Sequence, residues 1–255
     1  MELYREAVSY LLESRVAGAA LKPSERQERL QTLALAMFES GGEDRKRMGL
    51  HDAAERISAE HGDALEAAQA FLEDEALRSG LVALRTAGEI EFWHLTFQEY
   101  LAALEALQVE HDPLRPHWFD PDWREVVRLY AGALRSGRGE RAGRTYFRGL
   151  LAAGGEDRVQ RARAASLVEE LRADVLPFGG DPASGTPLDA NLAESLWCFE
   201  EASEVTERER VRLALALNRL PEGDPRYASS ELERVIVPGG EGAIGSEPGD
   251  AEAYG

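Results

Sequence analysis

Apolar residues in the first eighty positions recur three and four residues apart, which is typical of amphipathic helices. The pattern predicts one helix around Leu3 to Leu12. A second should begin at the N-cap residue Ser24 and end at Gly41-Gly42. A third should run from about residue 50 to 61 and stop at Gly62, and a fourth from about 63 to 78, with Gly80 after it.

After Gly80 the period of the pattern changes. Two short apolar runs, 81–84 and 90–93, flank Thr86-Ala87-Gly88-Glu89 and predict a β-hairpin. A further helix should follow, since apolar residues return to helical spacing at Phe97, Tyr100, Leu101, Leu104 and Leu107. The order of three or four helices, a hairpin and a helix is winged-helix-like.

From Asp122 to about Leu220 the pattern is again helical, and Asp122 or Pro121 should open the first of these helices. Further helices are expected near 141–153, 158–175, 189–202 and 206–220, with a clear break at the loop 179–187 and a short strand at 235–237. The chain is therefore predicted to be mainly α. A winged-helix-like domain at 1–110 precedes an irregular helical bundle or short α-solenoid at 111–230, and 231–255 forms a separate segment.

Composition is that of a soluble globular protein, with 44% hydrophobic and 30% charged residues among 255. No apolar run approaches the roughly 18 to 20 residues that span a bilayer, so no membrane partner is expected. Cys198 is the single cysteine, so no internal disulfide can form, which fits a cytoplasmic protein. Its neighbours Trp197 and Phe199 favour a packing role for it.

The formal net charge of −18 opposes binding to nucleic acid unless basic residues are concentrated on one face. Such a stripe is suggested by Arg135, Arg138, Arg141, Arg144 and Arg148, but we favour a solvated helix face that pairs with nearby acids. The candidate DNA-reading helix, 51–60, carries Asp52, Glu55 and Glu60 against one arginine. A winged helix used for protein packing, with no nucleic-acid partner, is the better interpretation.

One histidine lies where a strand meets a helix. Thr96 and Glu99 have the spacing of a capping box, with Leu95 and Tyr100 as its hydrophobic staple. His94 would then lie two residues before the N-cap, where backbone N–H groups and the helix dipole favour an anion such as phosphate. The alternative, a satisfied core histidine, is the more common role for a lone histidine, and the residues alone leave both open.

The string Phe92-Trp93-His94-Leu95-Thr96-Phe97-Gln98-Glu99-Tyr100-Leu101-Ala102-Ala103 resembles the signature of NACHT-type STAND NTPases, the signalling ATPases that include NOD-like receptors. Two neighbouring segments are also similar to that family, namely 79–82 before the hairpin and 123–132 after it. The resemblance covers residues 1 to 220, loosely outside these motifs.

The resemblance implies that the winged helix follows a nucleotide-binding core. The signature histidine, here His94, would contact the β-phosphate of ADP and hold the inactive state. Phe97, Gln98 and Glu99 would serve packing and capping. The implied partners are an upstream NACHT domain and, on activation, further copies of the protein. ADP or ATP is expected in the parent protein only, with no cofactor for this chain alone.

The chain itself carries no Gly-x-x-x-x-Gly-Lys-[Ser/Thr] motif and no apolar strand that ends in paired acids. We therefore expect no ATP hydrolysis and no catalytic residues. Met1 already lies inside the winged-helix region, so the NTPase should be a separate or truncated piece, or the chain a remnant. The loop 111–117, with Asp120 and Asp122, has metal-ligand residue types without tight zinc spacing, and no metal is expected.

The segment 233–247 resembles the opening of a formylglycine-generating-enzyme (sulfatase-modifying-factor) domain, although Gly242 and Ile244 replace the usual phenylalanine and methionine. The link 219–226 resembles the one that joins NACHT helical regions to such domains. For this chain we favour a disordered acidic tail, since some twenty residues cannot bury a core.

The leading hypothesis is a non-catalytic regulatory segment of a NACHT-like NTPase that holds the ADP-bound off state through His94 and couples it to a C-terminal sensor or effector domain. The alternatives are an adaptor region of a formylglycine-generating-type enzyme and a stand-alone helical interaction scaffold.

Overall fold

The computed structural model describes residues 2–14, 21–41, 45–109 and 113–155, together with several positions between 157 and 171. The helices are α1 (Glu2–Ser14), α2 (Pro23–Ser40), α3 (Leu50–His61), α4 (Leu65–Arg78), α5 (Leu95–Ala106), α6 (Arg124–Arg138) and α7 (Glu140–Ala153). The strands are β1 (Met48–Gly49), β2 (Val82–Leu84) and β3 (Glu89–Phe92). The prediction of a mainly α chain with a winged-helix domain is confirmed.

The small sheet is antiparallel, with the order β1-β3-β2. Strands β2 and β3 form the predicted hairpin, in which Val82 lies opposite Phe92. Gly88 adopts the positive φ of 75° that the turn requires. Strand β1 was not predicted, and it exists because Met48 pairs with Ile90 on the free edge of β3.

The glycines that follow helices predict the helix ends better than the N-cap residues predict the helix starts. Helix α3 has the predicted bounds, and Gly62 follows it in the left-handed conformation, with φ of 70°. The prediction that Ser24 caps α2 is wrong. The helix begins at Pro23, a residue suited to a first turn, and the Glu25 carboxylate accepts the Lys22 N–H at 2.8 Å.

Helix α2 lies at the centre of the molecule and packs against α1, α3 and α5. Its Leu30, Leu33 and Met37 are wholly buried. Helix α5 also packs against α6, and the rings of Phe38 and Trp123 lie 5.1 Å apart. The core of the winged-helix region therefore continues into the helices that follow it.

Helix α6 follows a single 3-10 turn, Pro121–Trp123, in which the Asp120 carboxylate accepts the Asp122 N–H at 2.8 Å. The expected helices at 189–202 and 206–220, the strand at 235–237, Cys198 and the segment 231–255 lie outside the described residues, and the helix at 158–175 does so in large part. No helix in the described part of the chain is long and apolar enough to cross a membrane.

Candidate functional site

His94 connects the sheet to helix α5. It is the N-cap residue of α5, with extended backbone angles of −130° and 130°. Its carbonyl oxygen accepts the N–H of Phe97 at 3.1 Å and that of Gln98 at 3.4 Å. The helix therefore begins at Leu95, and the prediction that Thr96 is the N-cap is wrong.

The predicted capping box is not formed. No side chain in the described part of the chain caps the start of α5, and Thr96 is exposed. Glu99 is only 8% exposed, in the packing between α5 and α6. Burial, followed by the negative charge of Glu125, raises the pKa of Glu99 to about 7, while Arg45 acts in the opposite direction. Because the helix starts earlier than expected, Glu99 belongs to its second turn and points into the interior.

The expected hydrophobic staple is also wrong. Leu95 is 43% exposed, whereas Tyr100 is buried and stacks on Tyr4 of α1 with ring centroids 5.7 Å apart. Gln98 is buried as well, and its Nε2 donates to the Arg45 carbonyl oxygen at 2.6 Å. Phe97 packs against the core. These signature residues thus fix the first turns of α5 by packing and by a part-buried hydrogen bond.

The His94 ring is exposed, so the alternative of a buried core histidine is wrong. The ring meets Phe97 edge-on, with centroids 5.8 Å apart. Within the described residues it forms no hydrogen bond and no ion pair. An imidazole with free nitrogens at the start of a twelve-residue helix can donate a hydrogen bond to an anion.

Two exposed apolar side chains flank this histidine, Trp93 at 55% and Leu95 at 43% exposure. The Arg85 guanidinium lies 6.0 Å from the centre of the Trp93 ring. We call Leu84, Arg85, Trp93, His94 and Leu95 the wing surface. Sequence reasoning missed its apolar part, although Ile90 and Phe92 are the buried residues of β3 and the alternation of a strand places Trp93 on the opposite face.

Ion pairs stabilise the β2–β3 hairpin. Glu91 on β3 pairs with Arg85 and with Arg47, whose Nε lies 3.1 Å from Glu91 Oε2. The Arg85 hydrogen bond is the main reason why the pKa of Glu91 is lowered, and burial opposes it. Glu91 therefore stays ionised, and Arg85 remains in place beside Trp93.

Residues 1–106 match the model of the family described as winged helix-turn-helix domain C-terminal to NACHT. Residues 1–106 are therefore a winged-helix domain, similar to those that lie C-terminal to NACHT. No curated protein and no solved structure matches the chain. The comparisons lend no support to a formylglycine-generating domain at 231–255.

The residues with metal-ligand types in the loop before α6 have other contacts. The His117 ring stacks on Trp123 with centroids 4.0 Å apart, and Asp122 pairs with Arg45 at 2.8 Å. Within the described residues, no group of three or more histidine, cysteine or acidic side chains could hold a metal ion. His111 and Asp112 lie outside those residues.

Proposed function

We propose that this winged-helix domain is a non-catalytic regulatory element of a NACHT-type NTPase, in which His94 contacts the β-phosphate of ADP and stabilises the off state. The observation that carries the proposal is the exposed His94 ring at the start of α5, without a polar partner among the described residues, in a domain of the type that follows NACHT.

The chemistry of the helix start suits a phosphate. The first N–H groups of any α-helix lack carbonyl partners inside the helix, and the helix dipole adds about half a positive charge there. Neutral imidazole supplies one N–H donor, and imidazolium supplies two. A phosphate seated here would meet His94 together with the backbone of Leu95 and Thr96.

The wing surface is suited to cover that phosphate with protein. Trp93 and Leu95 are large apolar side chains that face water in this chain, and Leu84 is also exposed, at 41%. Exposed apolar residues that surround a polar contact are typical of a docking interface. The occupant we propose is the nucleotide-bearing face of the upstream NACHT domain.

Helix α5 supports a coupling role as well. His94 is its N-cap residue, and its body packs against α2 and α6. A rigid helix that contacts nucleotide at one end can transmit the loss of that contact to α6. We propose that α6 and the segment after it pass the change to a C-terminal sensor or effector region, with homo-oligomer formation following ADP release.

The test is the ADP affinity of the protein that carries this chain together with its NACHT domain. A hydrogen bond to a charged group contributes about 1.5 to 3 kcal/mol, so His94→Ala should weaken ADP binding by roughly 10- to 100-fold. His51→Ala is the matched control, because His51 is an exposed histidine on α3 that pairs with Glu55 at 3.4 Å. Equal ADP affinity in the two variants would remove His94 from nucleotide binding.

A further inference from the structure

A groove of about 660 Å³ opens between α6 and α7, with the 3-10 turn Arg115–His117 and Trp118 at one side. We call it the α6–α7 groove. Its lining includes Arg115, Trp118, Arg138, Arg141, Thr145 and Tyr146. Its volume lies within the range of about 300 to 1,000 Å³ that is usual for small-molecule sites.

The lining is cationic although the whole chain is acidic. Among the described residues it contains three arginines and no aspartate or glutamate, in a protein of net charge −18. Arg138 and Arg141 belong to the basic stripe seen in the sequence. The chain turns between them at Gly139, where φ is 84°, so the stripe is divided between two helices and both side chains reach the same groove.

The expected pairing of these arginines with nearby acids is absent among the described residues. Arg138 Nη2 donates instead to the carbonyl oxygen of Leu107 at 2.5 Å. The Arg115 guanidinium lies 6.0 Å from the centre of the Trp118 ring. Three exposed guanidinium groups that have no carboxylate partner in the described part of the chain give a local positive field that favours an anion.

The floor of the groove is aromatic. Trp118 meets Tyr146 edge-to-face with centroids 5.6 Å apart, and Tyr130 lies 5.1 Å from Tyr146. Trp118 is 6% exposed, and its Nε1 is a buried donor with no acceptor among the described residues.

We propose that the α6–α7 groove binds a small organic anion, with its carboxylate, phosphate or sulfonate held by Arg115, Arg138 and Arg141 and its apolar body laid on the aromatic floor. The site lies outside residues 1–106, so anion binding in the groove does not depend on the nucleotide role of His94.

The charge and shape of the site favour a small ligand over a macromolecule. The net charge of −18 opposes the binding of a polyanion such as nucleic acid, because a polyanion would extend beyond the groove. Three guanidinium groups above an aromatic floor match one anionic group attached to one apolar body.

The test uses the full chain and the dye 1-anilinonaphthalene-8-sulfonate, which carries one sulfonate on an aromatic body. We expect saturable binding of one dye per chain, measured by fluorescence titration. Arg141→Gln and Arg115→Gln should each weaken binding about 10-fold, since each removes one charge-assisted contact. Arg56→Gln, at an exposed arginine on α3 outside the groove, should leave the affinity unchanged.

Two further measurements address shape and charge. Gly149 lies against Trp118, with 3.6 Å between an added Cβ and Trp118 Cη2, so Gly149→Leu should fill the groove and abolish dye binding. The uncharged dye N-phenyl-1-naphthylamine should bind at least 10-fold more weakly than the sulfonate. Circular dichroism should be used to check that each variant is folded. If Gly149→Leu is unfolded, the two arginine variants alone test the proposal.

The proposal is overturned if the full chain shows no saturable binding, or if both arginine variants retain wild-type affinity. It is equally overturned if the uncharged dye binds as well as the sulfonate, since the groove would then be an apolar surface without anion selectivity.

Discussion

Arg26 of α2 and Glu75 of α4 form a two-point ion pair in which the side chains are 2% and 1% exposed. Arg26 Nη2 lies 2.9 Å from Glu75 Oε2, and its Nε bonds to the other carboxylate oxygen. A third donor, Nη1, reaches the carbonyl oxygen of Leu12 at 2.6 Å. One arginine side chain thus links helices α1, α2 and α4.

Glu75→Ala should be strongly destabilising, because it leaves the Arg26 charge buried without a partner. Breaking a buried pair in this way costs about 3 to 5 kcal/mol, measurable as the free energy of unfolding in urea. Asp74→Ala is the neighbouring control. Its pair with Arg78 is far more exposed and should contribute less than about 1 kcal/mol. Similar losses in the two variants would mean that the buried pair carries no special weight.

Glu99 should make the domain less stable as the pH rises. Its pKa is about 7 in the folded chain and 4.5 in its ordinary state, so between these values the folded state binds more protons than the unfolded state. Linkage then requires the free energy of unfolding to fall from about pH 4.5 to about pH 7 and to level off above.

Glu99→Gln should remove this penalty. At pH 8 the variant should gain up to roughly 3 kcal/mol over the wild type, and at pH 4 the difference should disappear. Thermal unfolding of both proteins across this range provides the comparison, with Glu66→Gln as the exposed control on α4. A difference that does not change with pH would show that Glu99 does not titrate in this range.

Two glycines give a matched pair for the helix-end argument. Gly62 ends α3 with φ of 70°, where any side chain is strained, so Gly62→Ala should cost about 1 kcal/mol. Gly149 lies inside α7, where an added Cβ would meet only an ordinary contact at 3.6 Å. Gly149→Ala should therefore be neutral or stabilise by up to about 1 kcal/mol. Equal costs, measured by urea unfolding, would contradict this assignment.

The helices and the hairpin were accessible to sequence reasoning because their signals are local. Period, glycine position and turn residues predict α3, its end at Gly62 and the β2–β3 hairpin. Strand β1 has two residues and no period of its own, and only its pairing partner Ile90 defines it. Such an element depends on tertiary contacts that no short window contains.

The site was predicted less well than the fold, for a related reason. The spacing of Thr96 and Glu99 satisfies a capping box, yet the helix starts at Leu95 and the Glu99 side chain is buried. Arg26 and Glu75 were invisible as a pair, since a periodicity analysis counts each as a surface residue. His94 was located through its position between strand and helix, and its exposure emerged only from the fold.

The proposed function depends on contact between His94 and the nucleotide. The most direct measurement is the distance from a His94 ring nitrogen to the nearest β-phosphate oxygen in an ADP-bound structure of the protein that carries this chain with its NACHT domain. We expect a hydrogen bond of about 2.7 to 3.2 Å, with Trp93 and Leu95 covered by the NACHT domain. A His94 ring that faces solvent while ADP is bound elsewhere would contradict it.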